Sequence, residues 1–290
     1  MSRATAPAAV RWTAYVAVAV VFAIACAFLS NWQFSRNAER AEQLDLVAAN
    51  YDRDPVTLDE AIPLGSSLEP LDEWLPVVLT GTYLNDEQLL ARNRPHGGTA
   101  AFEVLVPFRL DDGRVLLVDR GWVPPGSHQP DPDVVPAAPS GEATVVVRLR
   151  PGEALPPSGR SAPEGQVPTI NLPFVGQLLD PATAAALEPS AYGLMVSETP
   201  APPTRPQAVD PPSADPGPYL SYAVQWILFA IMGFVFIWYV IRSERRARRE
   251  DDEDRAAIAA GIEPPARAPR NRGRRDRDAE DEDALLDRTH

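Results

Sequence analysis

The chain contains no lysine; all 27 of its basic residues are arginine. It has one cysteine, Cys26, and three histidines, His96, His128 and His290. A single cysteine excludes an internal disulfide and a Cys-x-x-Cys redox pair, and it leaves no thiolate pair for copper or zinc. A metal site or catalytic base would have to use His96 or His128, which sit in the loop-like contexts RPHGGT and PGSHQPDP. Asp131 and Asp133 follow His128, so a base or metal site there is one option, and solvated loop histidines are the plain one. No G-x-S-x-G elbow, P-loop or G-x-G-x-x-G accompanies them, and adjacency alone does not orient Ser127 beside His128 as a nucleophile.

Charge is missing from two long stretches. Trp12 to Leu29 is eighteen uncharged residues and Tyr219 to Ile241 is twenty-three. Each is long enough to span a bilayer as a helix. Trp12 and Trp32 bracket the first run and Tyr219 and Trp238 the second, about 30 Å apart at the helical rise, where interfacial aromatic belts belong. A cleaved signal peptide is the rival for the first run, since Arg3 and Arg11 precede it and Ala25-Cys26-Ala27 is small. Against it, the run passes without Pro or Gly into a polar helical stretch, predicting one helix to about Ala49. Lipidation of Cys26 fits poorly after Ala23-Ile24-Ala25.

Arginines set the orientation. Arg242, Arg245, Arg246, Arg248 and Arg249 follow the second run, while its other flank back to Pro206 has no positive charge. That places the C-terminus in the cytoplasm, and two spans return the N-terminus to the same side. Residues 30 to 218 carry 26 acids against 12 arginines, a surface that repels nucleic acid and anionic headgroups. The lysine-free, Ala- and Pro-rich composition points to a GC-rich bacterial genome and so to a plasma membrane.

The chain therefore divides into a basic start (1–11), a first transmembrane helix (12–31), an extracytoplasmic domain (32–198), a Pro-rich linker (199–218), a second transmembrane helix (219–241) and a charged tail (242–290), disordered from Glu250 onward. Eight prolines in the linker suggest a semi-rigid polyproline strut. Residues 151–168, rich in Pro, Gly and Ser, read as a second linker. In the outer domain WLPVVLTGTYL, EQLLARN, FEVLVPFRL, RVLLVDRG, ATVVVRLR and YGLMVSE are strand-like. Asp111-Asp112-Gly113 makes residues 102–120 a β-hairpin. Short helices fit NLPFVGQLL or DPATAAAL. The fold class is a two-helix membrane protein with an extracytoplasmic α+β domain, predominantly antiparallel β, for which a small barrel is one form of closure.

Three groups of residues carry more than one reading. Trp32, Arg36 and Arg40 share a helix face, either at the lipid headgroups or as a docking face. Tyr219, Tyr222, Trp226, Phe229 and Gly233 form a stripe with Gln225 on its shoulder, either a belt with small-residue packing or a flat surface for a planar ligand or another subunit. In VLLVDRGWVP, Asp119 and Arg120 point to opposite faces and Gly121 permits a bend. Either Arg120 pairs with an acid such as Glu103 in a structural corner, or Arg120 and Trp122 are exposed for a partner.

Trp32-Gln33-x-x-Arg36, GTYL, RNRPHGGTAAFEVLVPF, DDGRVLLVDRGWVP and YLSYAVQW, in that order between two spans, resemble the Surfeit locus 1 family of cytochrome c oxidase assembly factors over residues 10 to 242. The resemblance implies a non-enzymatic membrane protein that aids haem a insertion or stabilises the nascent catalytic subunit of a haem-copper oxidase. Its partners would then be that subunit or its assembly intermediates, and membrane lipid. The motif positions are Trp32, Gln33, Arg36, Arg94, Gly98, Pro107, Phe108, Arg120, Gly121, Trp122, Tyr222 and Trp226. The family's second span typically opens with a histidine, its candidate haem ligand. Tyr219 stands there, with Gln225 further along, and a phenolate ligand favours ferric iron. From the residues themselves two other classes stay open: an envelope interaction module for another membrane complex, and an extracytoplasmic hydrolase built on His96 or His128.

Overall fold

A computed structural model describes residues 8–157, 159 and 162–261. The elements run in the order α1 (Ala8–Asn50), β1 (Val56–Thr57), α2 (Leu58–Ala61), β2 (Pro76–Tyr83), β3 (Leu89–His96), β4 (Thr99–Leu110), β5 (Val115–Val123), β6 (Glu142–Pro151), β7 (Gln166–Val167), α3 (Leu172–Gly176), α4 (Pro181–Ala186), β8 (Ala191–Thr199) and α5 (Tyr219–Ala259). The described chain falls into two compact units, one of residues 8–34 with 220–261 and one drawn from residues 35–219.

In the helical unit two helices are long and apolar enough to cross a membrane. α1 and α5 pack antiparallel through small residues. Ser30 Oγ donates to Ala223 O at 2.9 Å, and Phe22 lies against Gly233. Ala19, Cys26, Ser30 and Ala223 are the buried positions, so the backbones approach closely where side chains are smallest. α5 continues to Ala259, which corrects the expectation of disorder from Glu250. Pairs one helical turn apart, Arg246 with Glu250, Arg248 with Glu244 and Arg255 with Asp252, support this polar extension. The rest of the tail and Arg3 lie outside the described residues.

The second unit is a mixed eight-stranded sheet in the order β1-β2-β6-β8-β5-β4-β3-β7. β2 also pairs with β4, so the pairings β2–β6–β8–β5–β4–β2 return on themselves. Antiparallel pairs dominate as expected, but β1–β2, β3–β7 and β5–β8 are parallel. Gly81 sits where β2 turns from β6 to β4, opposite both Ala143 and Leu110. A Cβ there would collide with the Arg109 carbonyl, so only glycine lets one residue face both neighbours.

β2 and β6 alternate buried with partly exposed positions, whereas β4 buries eight consecutive residues and β5 seven. The reason is that β4 and β5 separate two cores. Val104, Val106, Phe108, Leu116 and Val118 face Val77, Leu79, Val145, Val147 and Leu149. On the other side Leu105 and Leu117 pack with Val167, Ile170, Leu172 and Val175 from β7, α3 and the link between them. Both short helices suggested by the sequence are present as α3 and α4, the former capped by Asn171 accepting from Phe174 N at 3.0 Å. Two-sided burial removes the alternation of a half-exposed strand, which is why FEVLVPF and VLLV read as continuous apolar runs.

Candidate functional site

The turn from Leu110 to Arg114 closes the expected hairpin, with Gly113 at φ 91°. Its far end holds Arg120, Gly121 and Trp122, with Arg94 on the adjoining strand. Arg120 points into the larger core and is fully buried. Its partner is Glu198 on β8, correcting the expected Glu103: Nε to Oε2 is 3.2 Å and Nη2 to Oε1 is 2.8 Å. Nη1 donates to Pro136 O at 2.9 Å, and the guanidinium lies 5.4 Å from the Tyr83 ring. Tyr83 in turn meets Phe108 edge-on at 4.9 Å. Burial, with the nearby Glu198 charge, pushes the Tyr83 hydroxyl far above its ordinary range. Arg120 is thus a core residue, not an exposed partner-binding one. Pro107, in mid-strand, needs no donor; its carbonyl accepts from Leu84 N at 2.9 Å.

Asp119 and Glu103 point the opposite way, toward the second core. A bulge between Ala91 and Arg94 re-aims β3 so that Arg94 and His96 meet Glu103. Arg94 Nε lies 2.5 Å from Glu103 Oε2, and its two terminal nitrogens clamp Glu153 at 3.0 and 2.7 Å. Glu153 also accepts from Thr169 Oγ1 and, at 3.0 Å, from Ile170 N. Burial works against the charges here, yet the Arg94 hydrogen bonds hold Glu153 below the usual carboxylate range and the two acids hold Arg94 above its ordinary value. Asp119 is almost fully buried, and its Oδ1 accepts from Gly121 N at 2.9 Å. Desolvation, reinforced by the Glu103 charge, raises it well above the usual range, so one guanidinium faces three carboxylates of which Asp119 favours the neutral form.

His96 is no solvated loop residue. Its Nε2 is 2.8 Å from Glu103 Oε1, and its ring stacks on Trp122 at 5.4 Å and 10°. Gly97, in the turn before Gly98, lies against the Trp122 ring, while Gly98 faces open space. The Pro-rich segment completes the corner. β8 pairs with β5 only at Val118 and Asp119, so the edge beyond is open for another strand. Gln207 fills it, exchanging two 2.8 Å backbone bonds with Trp122, and Trp122 Nε1 donates to Ala208 O at 3.2 Å. Gly121, at φ 116°, leaves room for the Gln207 carbonyl where any Cβ would collide. The segment is laid down on the sheet unit, and Arg40 holds it again through the carbonyls of Ser213 and Asp215 at 2.6 to 3.1 Å.

The other motif residues stand apart. Arg36 pairs with Glu39 at the surface, at 2.8 Å. Tyr219 is half-buried, its ring against Gly217. In the helical unit Trp32, Tyr222 and Gln225 are exposed, Gln33 and Trp226 are half-buried, and Trp226 meets Phe229 edge-on at 5.7 Å. These exposed and half-buried side chains include phenols and amides. Ser127 is bonded to Asp133 at 2.9 Å, and among the described residues no cluster of His, Cys, Asp and Glu is arranged to hold a metal. What the corner offers is an ionic network beside the half-exposed Trp122 and the strap over it.

Sequence reasoning located Arg94, Gly98, Arg120, Gly121 and Trp122 but missed Glu103, Asp119, Glu153 and His96 as one constellation around Arg94, and Glu198 as the partner of Arg120 on the other face. The acids inside FEVLVPF and VLLVDRG, each enclosed by buried apolar neighbours, were the available signal.

The chain is similar to known proteins over most of its length. The sequence model of the SURF1 family matches residues 20–231. A SURF1-like protein of Mycobacterium tuberculosis (strain ATCC 25618 / H37Rv) is 36% identical over 251 residues, 83% of this chain and 87% of that protein. A SURF1-like protein of Monosiga brevicollis is 30% identical over 116 residues, 35% of this chain and 42% of its own. A Saccharomyces cerevisiae protein, cytochrome oxidase assembly protein SHY1, is 28% identical over 109 residues, 36% of this chain and 26% of its own.

Proposed function

This chain belongs to the SURF1 family, and from that premise we propose that it is a non-enzymatic membrane assembly factor for a haem-copper cytochrome c oxidase. The observation that carries the proposal is the family match, which runs from the first apolar helix to the second, together with the shared segment in the yeast oxidase assembly protein. The geometry supports it. In the sheet unit Arg94, His96 and Arg120 are spent on carboxylates of the same unit, which supports a scaffold held by internal ion pairs. In this reading α1 and α5 both cross the plasma membrane, both termini are cytoplasmic, and the sheet unit faces outward; the arginines after Ile241 support that orientation. The partner is the nascent catalytic subunit or an assembly intermediate. Haem a is cargo, met transiently near Tyr219.

A reduced-minus-oxidised absorption spectrum of membranes from a deletion strain tests this. The haem a band falls on deletion and returns with the wild-type chain; an unchanged band sinks the assembly role. Complementation with Tyr219→Phe separates the parts, because full recovery removes Tyr219 from haem contact while leaving the assembly role intact. Labelling of single cysteines placed in a Cys26→Ala background at Arg53 and Arg255 reads the orientation: only position 53 is accessible from outside.

A further inference from the structure

The apolar run of α5 ends at Ile241, and five arginines follow within eight residues. Four of them, Arg242, Arg245, Arg246 and Arg249, line a groove of about 400 Å³ together with Trp238 and Ile241. One wall is therefore apolar and the other cationic, and no carboxylate lines it. Two acids close by on α5, Glu244 and Glu250, are themselves paired. Glu244 takes Arg11, Arg248 and, at 2.7 Å, Trp12 Nε1. Glu250 takes Arg246 at 3.0 Å. Arg242 lies 5.3 Å over the Trp238 ring and Arg245 4.7 Å over Trp12, and neither pairs with a described carboxylate. A guanidinium held over a ring face keeps its in-plane N–H edge unspent, and that edge matches two phosphate oxygens at once.

We propose that this groove binds the phosphodiester headgroup of an anionic phospholipid, with Arg242, Arg245 and Arg249 on the phosphate and Trp238 and Ile241 against the first carbons of the acyl chains. An amphiphile is favoured over a soluble anion because the apolar wall is continuous with the uncharged run of the helix, and a tryptophan stands at the level where acyl chain meets headgroup. A cationic pocket at the cytoplasmic end of a membrane helix is suited to lipid phosphate. The proposal rests on the reading that α5 crosses the bilayer.

The test uses the full chain reconstituted in vesicles of equal phosphatidylglycerol and phosphatidylcholine, extracted gently and weighed by native mass spectrometry. The wild type retains phosphatidylglycerol in several-fold excess. Arg242→Gln/Arg245→Gln/Arg249→Gln brings the ratio near one, while Arg53→Gln/Arg205→Gln/Arg255→Gln, with the same loss of charge, keeps the excess. Equal ratios in the wild type and the groove variant overturn the proposal. Loss of the excess in tens of millimolar inorganic phosphate also overturns it, by making the groove a soluble-anion site. A measurement needing no variant is quenching of tryptophan fluorescence by brominated phosphatidylglycerol, expected to exceed that by brominated phosphatidylcholine; equal quenching refutes lipid selectivity. Release of the chain by alkaline carbonate removes the membrane-crossing reading itself, whereas a carbonate-resistant chain blind to headgroup charge removes only the groove.

Discussion

Arg120→Met is the most informative single perturbation of the sheet unit. The side chain is fully buried and Glu198 nearly so, and the bidentate pair has no water to fall back on. Removing the cation leaves a lone carboxylate inside the larger core, which costs about 3–5 kcal/mol. For a unit of this size about 2–4 °C of melting temperature goes with each kcal/mol, so the transition falls by roughly 6–20 °C. Adding Glu198→Met removes the orphaned charge, and a buried pair replaced on both sides by apolar side chains is close to neutral. One deficit survives in the double variant, because the part-buried Pro136 O loses its donor from Arg120; an acceptor left without a partner costs up to about 1–3 kcal/mol. The expected order of stability is wild type, then double variant, then either single; with each single costing about 3–5 kcal/mol, the two single losses together exceed the double loss by about 3–9 kcal/mol. Urea unfolding of the full chain in detergent, followed by tryptophan fluorescence, gives the four midpoints. Additive losses, or a Glu198→Gln variant as stable as the wild type, would refute the claim that the pair is desolvated and mutually dependent.

Two further predictions concern the corner. Gly121→Ala sets a Cβ against the Gln207 carbonyl at a φ that alanine resists at a cost of about 1–3 kcal/mol, so the strap should detach. Hydrogen exchange at the Trp122 and Gln207 amides rises at least tenfold if so, and unchanged protection there contradicts the assigned bonding. Asp119→Asn keeps an oxygen for the Gly121 N–H but removes a buried acid whose folded value is raised above 3.8. As pH climbs past 3.8 the unfolded chain releases that proton before the folded one does, so the wild type loses stability with rising pH up to the folded value. The variant should therefore gain on the wild type between pH 4 and pH 7, with the gap closing in more acid solution. Urea midpoints that differ by the same amount at both pH values would sink the assignment.

Local structure in this chain was legible because it is carried by local signals. Asp111-Asp112-Gly113 announces its hairpin, β-branched runs bounded by Gly, Pro and Asn announce six strands, and the unbroken passage from Leu29 to Ala49 announces a helix longer than a bilayer. Pairing across sequence was not legible. Arg120 reaches Glu198, 78 residues away, and nothing near either residue specifies the other. Glu103 looked like its partner because it lies on the adjoining strand, but the β4 bulge between Glu103 and Leu105 and the alternation of faces turn it to Arg94 and His96. The tail misled through composition, since dense mixed charge suggests disorder until the i,i+3 and i,i+4 spacing of Arg and acid is counted. The Pro-rich strap misled in the same way: a segment unfit to pair with itself can still cap an open strand edge with a single residue such as Gln207.

The position of β8 sets a timetable. It is the last strand of the sheet to be synthesised, yet it lies between β6 and β5, and it brings the carboxylate that neutralises Arg120. Until residue 198 has emerged, β5 has one edge unoccupied and the guanidinium has to remain hydrated, so the larger core cannot dry. Drying, neutralisation of the inner charge and joining of β6 to β5 become one event, triggered by arrival of a single segment. A chain stalled or cut before Ala191 would expose the most apolar strands of the molecule to any passing partner. Quality control of this protein is therefore expected to discriminate sharply between chains ending just before and just after β8.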